Sequence, residues 1–107
     1  MVEQSVLNIV REYLRNLPRQ GIHPSAGGLF GSQSRGETDA WSDIDLLVIA
    51  PDFDGIFSRD LINQLWRVAA RTDNRIEPIS CGERQWEEDT ATPIIEIARR
   101  EGVQVIP

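Results

Sequence analysis

Asp43 and Asp45 stand two residues apart at the start of an apolar run, SDIDLLVIA, and Gly31-Ser32 closes an earlier apolar run just upstream. Side chains two apart on a strand share a face, so the two aspartates stand together while Ile44, Leu46 and Val48 turn the other way. Like charges at that spacing repel, and a divalent cation held between them relieves the repulsion most effectively. Ligands that are all oxygen suit magnesium or manganese. At Gly31-Ser32 a tight turn lets backbone N–H groups and a hydroxyl approach an anion closely, and phosphate is the natural guest. A phosphate-cradling turn leading into a carboxylate pair is the layout of metal-assisted phosphoryl or nucleotidyl transfer.

The elements that must position these groups follow from periodicity and breakers. Val6, Val10, Tyr13, Leu14 and Leu17 recur at helical spacing, so residues 2–17 read as an amphipathic helix that Pro18 closes. Ala26–Phe30 reads as a short strand in which Gly27 and Gly28 allow a close neighbour. Residues 32–42 form a polar connection, and Asp43–Ala50 reads as the central strand, ended by Pro51, Asp52, Asp54 and Gly55. Ser58 caps a predicted helix to about Arg71 with Leu61, Leu65, Val68 and Ala69 inward. Arg75–Ser80 reads as a third strand in which Pro78 favours an edge or a bulge and Glu77 lies on one face. Thr92 and Pro93 open a last helix through Arg100, Gly102 stops it, and residues 103–106 add a terminal strand. The expected fold class is α/β: one small domain over residues 1–107, a mixed sheet covered by helices.

The bulk composition narrows the function classes. A chain of 107 residues supports one core and leaves no room for an acceptor domain, so a large substrate needs a partner. Its 17 acids against 11 bases, a net charge of −6, argue against unaided binding of long nucleic acids. Every base is arginine, which excludes a lysine Schiff base or a P-loop lysine. The one cysteine, Cys81, excludes an intramolecular disulfide and a cysteine-based zinc site, which fits a reducing cytoplasm. No apolar run approaches a membrane span, and the N-terminus lacks a signal pattern.

The spacing G-S-x-x-R-G followed by S-D-x-D, carried by Gly31, Ser32, Arg35, Gly36, Ser42, Asp43 and Asp45, resembles the signature of the DNA polymerase beta nucleotidyltransferase superfamily. Within it, the chain is most similar to the small MNT domains, the minimal nucleotidyltransferases, over about residues 5–105 by motif order. The resemblance implies the polymerase beta-type nucleotidyltransferase fold. It also implies that Gly31 and Ser32 hold the nucleotide's terminal phosphates, with Arg35 and Ser42 beside them. Asp43 and Asp45 become ligands of Mg²⁺, and Glu77 becomes the third carboxylate, a metal ligand and the general base, although related enzymes often have aspartate there. ATP is the implied nucleotide. MNT domains are often antitoxins paired with an all-helical HEPN ribonuclease, and some adenylylate a tyrosine of that partner. The expectation is therefore AMP transfer to a hydroxyl of a HEPN-type protein. The alternative is a binding antitoxin that neutralises its partner by occlusion, with a vestigial nucleotide site; its acidic surface suits a basic RNA-cutting partner.

Other motifs carry less. GSQSRGET also fits the frame of a Walker A loop, but Glu37 stands where the lysine belongs and would repel the phosphates. His23 beside Pro24 reads as a solvated loop residue, and Cys81 as a small half-buried side chain. Trp66 reads as core or interface, and Trp41 and Trp86 as partly packed. Glu83, Glu87, Glu88 and Asp89 read as a solvated face.

Overall fold

In the computed structural model, which describes residues 2–31, 33, 36, 42–55 and 58–107, the first helical stripe becomes α1 (Gln4–Asn16), burying Val6, Val10, Tyr13 and Leu14. Pro18 then turns the chain into a 3-10 helix, Leu17–Gln20, that ends on Gly21 at φ 86°. Three strands and a helix follow in the expected places: β1 (Ala26–Phe30), β2 (Ile44–Ile49), α2 (Arg59–Thr72) and β3 (Ile76–Cys81). Ser58 caps α2 as expected, its hydroxyl accepting from the Leu61 N–H at 3.3 Å. Two helices and a strand complete the chain: α3 (Glu83–Glu88), α4 (Pro93–Glu101) and β4 (Val103–Val105).

The sheet runs β3-β2-β1-β4 and is mixed, with β2 parallel to β3 and antiparallel to β1, and β4 antiparallel to β1. Ile44, Leu46 and Val48 of β2 point into a core shared with α1 and α2, including Leu14, Leu65 and Val68. Leu47 and Ile49 point the other way, into a second core with Ile95 and Ala98 of α4 and half-buried Trp86 of α3. Both faces are thus covered. Because alternation is strict, a slip of one residue would drive Asp45 into the α1/α2 core and expel Leu46 and Val48, each contributing roughly 1.5–3 kcal/mol when buried. Core packing therefore sets the register that places the acids.

β3 is a sheet edge, as Pro78 suggested. The Arg75 and Cys81 carbonyls accept from the Ile44 and Ala50 N–H groups at 2.8 and 3.0 Å. Alternation along the strand then turns the backbone of Pro78 outward, where its missing N–H disturbs no ladder bond.

The structure departs from the sequence reading at several points. Asp43 lies one residue before β2, exposed, since the ladder begins with Ile44. Residues 83–88 form a helix whose first N–H groups, those of Glu83 and Arg84, donate to Asp54 at 3.1 and 3.2 Å. Asp89 is a cap before α4, accepting from the Ala91 and Thr92 N–H groups at 2.8 and 2.9 Å. Thr92 donates its hydroxyl to Asp89 instead of capping the helix with it. His23 is exposed yet paired, its Nδ1 lying 3.2 Å from Asp52. Cys81 is fully buried, and Trp66 is 49% exposed on the outer face of α2.

Candidate active site

Asp45 is the middle member of a row across three strands, opposite Phe30 of β1 and Glu77 of β3. The parallel register puts Asp45 and Glu77 side by side on one face, at the end of the sheet where β1 finishes and β2 and β3 begin. Asp43, two residues before Asp45, stands exposed at the same end. Gly31 follows β1 directly with φ 73°, and a Cβ built on it would lie 2.6 Å from Oδ2 of Asp45. The left-handed turn and the close approach each require glycine there. The Gly31 turn and the acid row therefore touch.

Gln33 joins the turn to β2 from the other side. It is 2% exposed, and its Nε2 donates to the Ser42 carbonyl at 3.2 Å, one residue before Asp43. Sequence reasoning missed Gln33, because a glutamine in a polar connection carries no signal of burial. Ser42 bears on the site through that carbonyl. Ser32 and Arg35, expected as phosphate contacts, lie outside the described residues, as does Trp41.

Among the described residues, the charges that act on Asp45 and Glu77 are those of neighbouring acids. Burial, then the Asp43 charge, push the Asp45 carboxyl above the usual carboxylate range. Glu77 is raised as well, by desolvation, then by the charges of Asp43 and Asp45, and least by its side-chain interaction with Asp45. The three carboxylates supply hard oxygen donors, the kind that suit a divalent cation. Among the described residues, no three of His, Cys, Asp or Glu converge closely enough to hold a metal ion.

A fork anchors the strand that carries Glu77. Arg75 Nε and a terminal guanidinium nitrogen donate to the two Asp73 oxygens at 3.1 and 3.0 Å, and the Arg75 N–H adds a bond of 2.9 Å. Those bonds hold the Asp73 carboxyl below the usual range. A carboxylate lowered in the folded state contributes stability that is present above its unfolded pKa and lost as pH falls through the folded value. Asp73→Asn is therefore expected to lower the melting temperature at neutral pH. The gap to wild type should close below about pH 4 in a pH series of melts; a gap independent of pH would contradict the fork's role.

The profile of the nucleotidyltransferase domain family matches residues 8–105. The chain belongs to the nucleotidyltransferase domain family. A crystal structure from Sulfolobus solfataricus, assigned as a nucleotidyltransferase, superposes with a TM-score of 0.63 at 17% identity, over 92% of this chain and 77% of that one. At that identity the likeness speaks to the fold, and it agrees with the four-stranded mixed sheet of this nucleotidyltransferase domain. No curated protein sequence matches the chain. Among the described residues, no helix is long and apolar enough to cross a membrane.

Proposed function

We propose that this nucleotidyltransferase domain transfers AMP from ATP to a protein hydroxyl with the help of Mg²⁺. The observation that carries the reading is the pairing of Asp45 with Glu77 across the β2–β3 ladder, with Asp43 exposed at the same end and Gly31 against Asp45. A cation bound there would neutralise charge on the triphosphate and on the departing pyrophosphate. The chain's own groups do the rest. The Gly31 turn, together with Ser32, seats the terminal phosphates. Glu77, brought beside Asp45, takes the proton of the acceptor hydroxyl as its oxygen attacks the α-phosphorus and the bond to pyrophosphate breaks. Glu77 takes that proton as a carboxylate, the form that a bound cation would favour over its raised pKa.

The acceptor in this reading belongs to a HEPN-type helical ribonuclease, and the domain is its antitoxin in the cytoplasm. Support comes from the sequence resemblance to MNT domains. The test is intact-mass analysis of the helical protein encoded beside this gene, co-expressed with wild type or with the Asp43→Asn, Asp45→Asn variant. The expected result is one or more added AMP masses with wild type and none with the variant. An unmodified partner that still co-purifies and stays neutralised would overturn transfer in favour of occlusion, a reading favoured by the exposed carboxylates Glu87 and Glu88 on α3.

A further inference from the structure

The net charge of −6 is unevenly spread over the fold. The layer made by α1, its following 3-10 turn and α2 carries Arg11, Arg15, Arg19, Arg59, Arg67 and Arg71 against two carboxylates, Glu12 and Asp60. Five of the six arginines are exposed and Arg11 is half-buried. Within the described residues, no hydrogen bond or ion pair engages any of the six. Arg75, Arg84 and Arg99 are engaged instead, by Asp73, by Glu88, and by the Asp89 carbonyl and the Trp86 ring. Six of the seven guanidinium groups left unengaged among the described residues thus gather on one side of the sheet, with Arg100 of α4 and the acids of α3 on the other.

That layer is also shaped. Arg19, Arg71, Asn16, Gln20 and Val68 line a cleft of about 180 Å³ between α1 and α2, which Glu12 and Thr72 also border. Along α1 it meets a wider depression of about 450 Å³ holding Arg11, Arg15 and Asn8, with Glu12 and Asn16 common to both. On α2, Trp66 is 49% exposed outside the cleft, two turns along the same face from Arg59 and around the helix from the cleft-lining Val68 and Thr72, with Arg67 between. Arginine pairs four residues apart, Arg11 with Arg15 and Arg67 with Arg71, repeat positive charge about every 6 Å along each helix.

We infer that the α1/α2 layer is a binding surface for single-stranded RNA, separate from the nucleotide site. Charge complementarity selects a polyanion: arginine forks bind phosphate oxygens in pairs, and their free state here leaves no intramolecular partner to displace. The exposed Trp66 ring selects an unpaired base, which stacks on it. The amides of Asn8, Asn16 and Gln20 between the arginines suit ribose 2′-hydroxyls, which both donate and accept. The α3 acids face away from this layer and do not oppose such a ligand.

The test is fluorescence anisotropy of a fluorescein-labelled, mixed-sequence single-stranded RNA, titrated with the whole chain at several salt concentrations. Binding should weaken steeply as salt rises, because each phosphate contact releases counterions. Arg15→Glu with Arg71→Glu should raise Kd at least about tenfold, Trp66→Ala several-fold, and Arg84→Glu on the opposite layer far less. These side chains are exposed or on the surface, and a melt checks that each variant folds. No binding at low salt, or equal binding by the double reversal, overturns the inference. Equal affinity for DNA of the same sequence overturns the RNA assignment, and tighter binding of polyglutamate points to an acidic protein as the occupant. Because the readout needs neither ATP nor an acceptor, its outcome is independent of the transfer activity.

Discussion

Asp45→Asn is expected to reduce nucleotidyl transfer by at least about a thousandfold, some 4 kcal/mol of transition-state stabilisation. The asparagine keeps the size and loses the charge through which Asp45 would hold a cation between the triphosphate and the acid row. Stability should move the opposite way. In the wild-type fold, desolvation and the Asp43 charge disfavour the Asp45 carboxylate, a penalty that grows as pH rises through its raised pKa and that asparagine removes. The variant should therefore melt no lower than wild type in the absence of Mg²⁺ at neutral pH, and Mg²⁺ should raise the melting temperature of wild type alone. AMP incorporation into the co-expressed partner, measured beside paired melts, checks both halves. Retained transfer would remove Asp45 from the machinery, and a variant that simply unfolds would make it structural.

Gly31→Ala is expected to damage activity through geometry. Its φ of 73° makes any side chain strained by about 1–2 kcal/mol, and the new methyl would stand 2.6 Å from Oδ2 of Asp45. Since a real Cβ does not sit that close, either the Asp45 carboxylate or the turn must shift. Transfer should fall by at least about a hundredfold, because a misplacement of about 1 Å at a reacting centre has that scale of effect. Gly21→Ala supplies the control. Its φ is 86° but nothing lies within 4 Å, so it should lose similar stability and keep its activity. If the two variants lose activity equally, the Gly31 contact with Asp45 does not matter to the reaction.

Much of this arrangement was legible in the chain because it rests on local signals. Strand alternation put Asp45 on the face opposite Ile44, Leu46 and Val48, Ser58 marked the start of α2, and Pro78 favoured an edge for β3. Glu77 came from the family resemblance, which implies a third carboxylate on a neighbouring strand, and the ladder pairs it with Asp45. What escaped the sequence depends on partners distant in the chain. α3 looked like a run of solvated acids because its N-terminus is satisfied by Asp54, 29 residues before Glu83. Gln33 looked like any polar loop residue until the carbonyl nine residues on took its amide. The exposed Trp66 went unseen because an aromatic residue on a helix ordinarily reports a core.

The outward-facing backbone of Pro78 bears on how the molecule associates. An open strand edge ordinarily invites a further strand from another chain through its free donors and acceptors, the route to domain swapping and fibrous aggregates. At the middle of β3 the outward donor is missing and a ring stands in its place, so a newcomer cannot complete a regular ladder there. Copies of this domain are hindered from extending one another's sheets through β3, and a partner approaching that side must recognise side chains.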